Sequence, residues 1–287
     1  MGILHAHCLE SLMAMAVLCH NKYHEIGREV AAYASKHIPQ ELLKNPEYAA
    51  GNYEKALTQT FLKIDAMLDT EGGKQEILEL YKETNAASME TPSKRGFGGL
   101  TEEGPDMKGC TSIVILVKNK TLYVANAGDS RAILAKGGKV QELSFDHKPD
   151  NEKEKARIAK AGGSVIEGRV DGNLNLSRAL GDLRYKKDKT LKAEEQMISG
   201  EPEIYKYPIG SDFDFIVIGC DGVYETKTNQ EIVEFFYKEM KENPSNSLRV
   251  AIEKYLDSNL SPDYIKTEGA GCDNMTCIAI KFKHPKP

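Results

Sequence analysis

Tryptophan is absent, and the six cysteines (Cys8, Cys19, Cys110, Cys220, Cys272 and Cys277) fall at irregular spacings. No disulfide scaffold is implied, and thiols kept reduced inside a cell fit better, so a cytoplasmic or nuclear location is expected. Long apolar runs are missing too. The longest, Leu12 to Cys19, is far short of the roughly 20 residues that cross a bilayer, and no basic stretch precedes it. Neither a membrane span nor a secretory signal is expected. Met1-Gly2 invites N-terminal acylation, but Ala6 stands where that signal has Ser or Thr. The formal charge is -5, with no Lys/Arg block interleaved with aromatics, which argues against nucleic acid as a partner. The first aspartate is Asp65, and no arginine precedes Arg28.

What is present is enough for one large domain or two small ones in 287 residues, and the chain is expected to be a monomer. Ile26, Val30, Ala34, Ile38 and Leu42 step by four, which predicts an amphipathic helix perturbed near its end by Pro39. A second helix is predicted over Tyr53 to Leu68 and a short third over Gln75 to Tyr81. Residues 85–108 are polar and rich in Gly and Pro, as in an exposed loop insertion. Cys110 to Val117 and Thr121 to Ala127 read as a hairpin that Arg131 to Ala135 extends into a meander. A charged helix over Asn151 to Ala161 and a hairpin around Glu167-Gly168 follow. Lys186 to Ser199 reads as a mobile charged excursion. Asp214 to Gly219 is a buried strand, Thr228 to Lys241 and Ser247 to Ser258 are helices around an Asn243-Pro244 stop, and Asp273 to Phe282 is a terminal strand.

The chemistry concentrates at strand ends. In FIVIGCDGVYE (Phe215 to Glu225) an apolar run stops at Asp221, and Gly222 frees the backbone to turn behind the carboxylate. DNMTCIAI begins on Asp273, and Asp129 sits in an acidic turn between strands. Each aspartate alone reads as a turn or capping residue. Several carboxylates from separate strand ends would together suit a hard cation such as Mg²⁺ or Mn²⁺. His5, His7, His20 and His24 with Cys8 and Cys19 form a possible soft-metal cluster, but His20 and His24 lack the intervening Glu of the zinc-protease motif, and solvated or incidental histidines are the expected reading.

From roughly Gly27 to His284 the ordered motifs GCTSIVI, LYVANAGDSRAIL, DHKP, AGGSV, LNLSRALGDLRYK, EEQMIS, CDGVYE and CDNMT resemble the metal-dependent protein serine/threonine phosphatases of type 2C. The resemblance implies an α+β fold, a four-layer α-β-β-α sandwich of two antiparallel sheets flanked by helices. It implies Mg²⁺ or Mn²⁺ as cofactor, a phosphorylated protein as substrate, and hydrolysis by a metal-activated water. Asp221 and Asp273 match metal-ligand aspartates, Asp129 matches a ligand of a weaker third ion, and Glu225 stands where the family often has Asp. Arg178 and Asp182 are expected to pair structurally near the site.

The departures lie in residues 1–25. The family's Met-Glu-Asp-Ala-His box survives only as Ile3-Leu4-His5-Ala6-His7. Its phosphate-binding arginine has no counterpart, and Asp-Gly-His-Gly-Gly, whose aspartate bridges two metals, is absent. A one-base shift across codons for Met13 to Val17 can spell that pentapeptide, so a shifted reading frame up to about Glu25 is one expectation. On this reading 1–25 replace the family's first strands, 26–284 form an incomplete phosphatase domain, edge pairing is lost, and the binuclear site is incomplete. The alternative function is a catalytically inactive pseudophosphatase that binds proteins.

Overall fold

A computed structural model describes residues 5–9, 13–20, 28–85, 109–242 and 248–283. From the N-terminus, strands β1 (His5–Leu9) and β2 (Met13–His20) precede helices α1 (Arg28–Lys44), α2 (Pro46–Ala49), α3 (Tyr53–Leu68) and α4 (Glu71–Asn85). Then come β3 (Gly109–Lys118), β4 (Thr121–Ala127), β5 (Arg131–Lys136), β6 (Lys139–Glu142) and α5 (Glu152–Lys160). The short strands β7 (Val165–Ile166), β8 (Arg169–Val170) and β9 (Leu180–Gly181) lead to β10 (Glu203–Pro208) and β11 (Phe213–Gly219). The chain continues through α6 (Asp221–Tyr224), α7 (Asn229–Glu242), α8 (Leu248–Asn259) and β12 (Cys277–Lys281). The insertion expected at 85–108 and the Asn243-Pro244 stop lie, beyond Asn85, outside the described residues.

One sheet has the order β1-β2-β3-β4-β10, with β9 on the start of β3, and the other runs β12-β11-β5-β6. All of their pairings are antiparallel. Period-two alternation explains why both faces of the apolar segments are buried. Along β2, Met15, Val17 and Cys19 pack with α1 residues Val30 and Ile38 and α3 residues Leu57, Phe61 and Ile64. Ala16 and Leu18 point the other way, against Ile216, Ile218 and Leu134 of the second sheet. Beyond that sheet, Phe215 and Val217 meet Ile232, Phe236 and Tyr255 of α7 and α8. The layers are therefore helix, sheet, sheet, helix, as the resemblance implies.

Three expectations need correction. The predicted meander does not form: β3 and β4 pair, but β5 joins the opposite sheet beside β11. Gly128, at φ +121° with its Cα hydrogen where a Cβ would come within 2.6 Å of Thr111, lets the chain cross between sheets. The expected loss of edge pairing is not found, because β2 pairs with β3 from Met13–Lys118 to His20–Thr111. The segment 186–199 is anchored: Gln196 Nε2 donates to Asp188 O (2.7 Å), and Ile198 is fully buried. In addition, α1 passes through buried Pro39 to Lys44, and the last strand begins only at Cys277, leaving Asp273 in a loop.

Candidate functional site

β11 presents Asp221 because its run Phe215 to Gly219 is wholly buried and cannot continue into solvent. The chain turns into α6 at Cys220, and Gly219 lets Val223 fold back on the strand end, where a Cβ would meet Val223 Cβ at 2.6 Å. Gly222 permits a second close approach. A Cβ there would lie 2.7 Å from Asn274 O and 3.3 Å from Asp273 Cβ, so only glycine lets α6 rest against the Asp273 loop.

Asp221 and Asp273 consequently line one cleft of about 260 Å³, together with Glu225, Asp146, Arg131, Tyr224 and Gly222. Backbone amides orient all three predicted carboxylates of the cleft. Gly222 N–H donates to Asp221 Oδ1 (3.0 Å), Asn274 N–H to Asp273 Oδ1 (2.7 Å), and Gly271 N–H to Glu225 Oε2 (3.0 Å). In the same cleft the Arg131 guanidinium forks onto Asp146 and reaches Asn229 Oδ1 (2.9 Å) through Nη1. Its face lies over Tyr224, 4.8 Å from the ring centroid. Four carboxylates against one arginine leave net negative charge, an oxygen-donor set suited to a hard divalent cation.

Asp129 is not among the residues lining this cleft. It is buried and ion-paired with Lys148. The expected Arg178–Asp182 pair does not form either. Arg178 donates to Glu154 through Nε (3.1 Å) and Nη2 (2.7 Å) and to Glu201 O through Nη1 (3.0 Å). Asp182, left-handed at φ +51°, is buried beside Lys186 and Arg184, with Oδ2 unpartnered among the described residues.

Sequence reasoning did not assign Arg131 and Asp146 to the cleft, although both fall in motifs it singled out, LYVANAGDSRAIL and DHKP. It also sets His20 aside as solvated or incidental. His20 is in fact 5% exposed at the end of β2, within 4.8 Å, ligand atom to ligand atom, of Cys220 and Asp221. Thr276 contacts both neighbours: its hydroxyl is 3.4 Å from His20 Nδ1, and its N–H donates to Cys220 Sγ (3.2 Å). Burial pushes the Cys220 thiol up to about 12, so without a cation it is no nucleophile at neutral pH. His5, His7 and Cys8 have no described side chains, and His24 lies outside the described residues.

The family model of protein phosphatase 2C matches residues 4–264, a stretch that begins inside the segment read as divergent. Among curated relatives, "Probable protein phosphatase 2C 6" of Paramecium tetraurelia is 48% identical over 257 residues, covering 90% of this chain and 80% of its own. "Probable protein phosphatase 2C 21" of Arabidopsis thaliana is 37% identical over 281 residues, covering 91% and 77%. Among solved structures, a phosphatase from a pathogenic strain of Toxoplasma gondii superposes with TM-score 0.66 at 22% identity, covering 96% of this chain and 87% of that one. That likeness concerns the fold.

Proposed function

The chain belongs to the protein phosphatase 2C family, and on that premise we propose that it hydrolyses phosphoserine and phosphothreonine in proteins, using a divalent cation held by Asp221 and Asp273. The observation that carries this reading is the meeting of those two carboxylates, one at the start of α6 after β11 and one in the loop before β12, in one cleft with Glu225. A Mg²⁺ or Mn²⁺ ion there would lower the pKa of a bound water and offset charge on the phosphoryl oxygens. The chain's own part is positional. Amides of Gly222, Asn274 and Gly271 hold the carboxylates in place, so little reorganisation accompanies substrate entry. Asp146, offset by its ion pair with Arg131, adds no uncompensated negative charge to the cleft.

Hydrolysis of a phosphothreonine peptide by the full chain with Mn²⁺ or Mg²⁺ tests the proposal. Turnover should depend on added cation and disappear in Asp221→Asn; metal-independent turnover, or turnover unchanged by that variant, overturns it. A second reading, an inactive member that binds phosphoproteins, is favoured by one observation: β2 carries no carboxylate and ends in Cys19-His20 beside the cleft. It predicts peptide binding with no turnover under either cation.

A further inference from the structure

The buried donors behind Asp221 differ in kind from the carboxylates that line the cleft. Asp221, Asp273 and Glu225 offer oxygen alone, whereas His20 and Cys220 bring nitrogen and sulfur beside Asp221. We propose that His20, Cys220 and Asp221 form a mononuclear site for a borderline-soft divalent cation of the Zn²⁺ class, with its fourth position open to the cleft. The proposal rests on a cation entering this cleft, as the functional reading does, but not on turnover.

The ligand atoms lie within 4.8 Å of one another. Bonds of 2.0–2.3 Å in a tetrahedral zinc site place ligand atoms about 3.3–3.7 Å apart, so closure needs movements of about 1 Å. The half-exposed Asp221 side chain can supply them, while His20 and Cys220 are held by packing at 5% and 0% exposure. The outer partners suit such a site. Thr276 engages His20 Nδ1 through its hydroxyl, and the same residue donates its N–H to Cys220 Sγ. Gly222 N–H orients Asp221. Partners of this kind fix ring orientation and carboxylate direction around bound metals.

Nitrogen, thiolate and carboxylate together select Zn²⁺ or Co²⁺ over Mg²⁺, which takes oxygen almost exclusively. On binding, the Cys220 S–H bond breaks, its proton leaves to solvent, and a sulfur–metal bond forms. The Cys220 hydrogen bond to Asn274 O (3.1 Å) is given up in that exchange. Three protein ligands with one open position is the arrangement of zinc sites that keep a place for water or substrate.

The test is spectroscopic and uses the full chain loaded with Co²⁺. A near-ultraviolet thiolate-to-cobalt charge-transfer band should appear with strong visible bands of tetrahedral cobalt. Zn²⁺ should abolish both, and excess Mg²⁺ should not. Cys220→Ser should remove the charge-transfer band, His20→Gln should weaken Zn²⁺ binding by at least ~10-fold, and Cys272→Ser, at an exposed cysteine, should change neither. Metal-free melting curves establish that each variant folds, with Cys220→Ala standing in should serine disturb the buried position.

A missing charge-transfer band, its persistence in Cys220→Ser, or displacement of Co²⁺ by Mg²⁺ as readily as by Zn²⁺ overturns the proposal. So does a transcript that reads Asp-Gly-His-Gly-Gly in place of Met13 to Val17, because His20 would then be lost from the protein. The expected spectrum without phosphopeptide turnover sinks the phosphatase reading and keeps this one; Mn²⁺-dependent turnover unchanged in Cys220→Ser, with no such spectrum, does the reverse.

Discussion

Arg131 grips Asp146 along two edges, with Nε 3.0 Å from Oδ1 and Nη2 2.9 Å from Oδ2. Burial alone would push the guanidinium down, but the Asp146 carboxylate more than offsets it and holds Arg131 above its usual value. The pair joins the start of β5 to the loop after β6, and both side chains line the cleft that holds Asp221 and Asp273. Arg131→Lys keeps the charge and loses the fork, the Asn229 contact and the stacking on Tyr224. The expected cost is about 1.5–3 kcal/mol of stability, read from urea denaturation.

Glu154 should be the most sensitive buried acid. It sits between Arg178 and Arg157, whose Nη1 donates to it at 2.6 Å, and neither Glu154 nor Arg178 is more than 3% exposed. Burial pushes Glu154 up, but Arg178 and Arg157 outweigh it and bring it down to about 2, against an ordinary 4.5. A depressed carboxylate contributes stability above its unfolded value, and that contribution is lost as pH falls from about 4.5 through about 2. Glu154→Gln leaves two buried cations uncompensated and should cost about 3–5 kcal/mol at pH 7. Melting at pH 7 and pH 3 checks both parts: the gap between wild type and variant should shrink at the lower pH.

Asp182 titrates in the opposite sense. Burial pushes it up to about 7, with Lys186 and Arg184 opposing and Asp65 reinforcing. The folded state then keeps the proton longer than the unfolded one, so this group's contribution to stability falls as pH rises between about 4 and about 7. Asp182→Asn should stabilise the protein above pH 7 by as much as ~4 kcal/mol, with the gain fading towards pH 4. A variant no more stable than wild type at pH 8 would refute this account.

Gly222 offers a test of cleft geometry that removes none of the carboxylates. Gly222→Ala puts a methyl group 2.7 Å from the Asn274 carbonyl, and that backbone must move, carrying Asp273 with it. Misplacement of about 1 Å at a reacting centre costs up to ~100-fold in rate. Cation-dependent turnover should fall on that scale while the melting temperature of the cation-free protein changes little.

Much of the molecule was legible because the signals were local. The period-four stripe and the Tyr53–Leu68 pattern gave helices, the run before Asp221 gave β11, and Glu167-Gly168 gave the β7–β8 turn. The run Leu12 to Cys19 shows in sequence only that it is too short to cross a membrane, since its alternation is invisible when both faces are apolar. β10, with Tyr205 and Tyr207 interleaved among Glu203, Lys206 and Pro208, went unread because edge strands carry weak patterns. The expected Arg178–Asp182 pair fails because Asp182 sits in a left-handed turn with its carboxylate against Gly109, and α5 brings Glu154 to Arg178 instead.

The sequence by itself determined the alternation, the acidic strand ends and the ordered motifs, because each depends on neighbours within a few residues. Only the tertiary structure decided that β5 leaves β4 for the other sheet, that Asp221 and Asp273 share a cleft that Asp129 does not line, and that His20 lies beside Cys220. The reason is that two close-packed sheets fix which strand ends coincide, and that coincidence depends on glycine-permitted approaches at 128 and 222 between segments far apart in the chain.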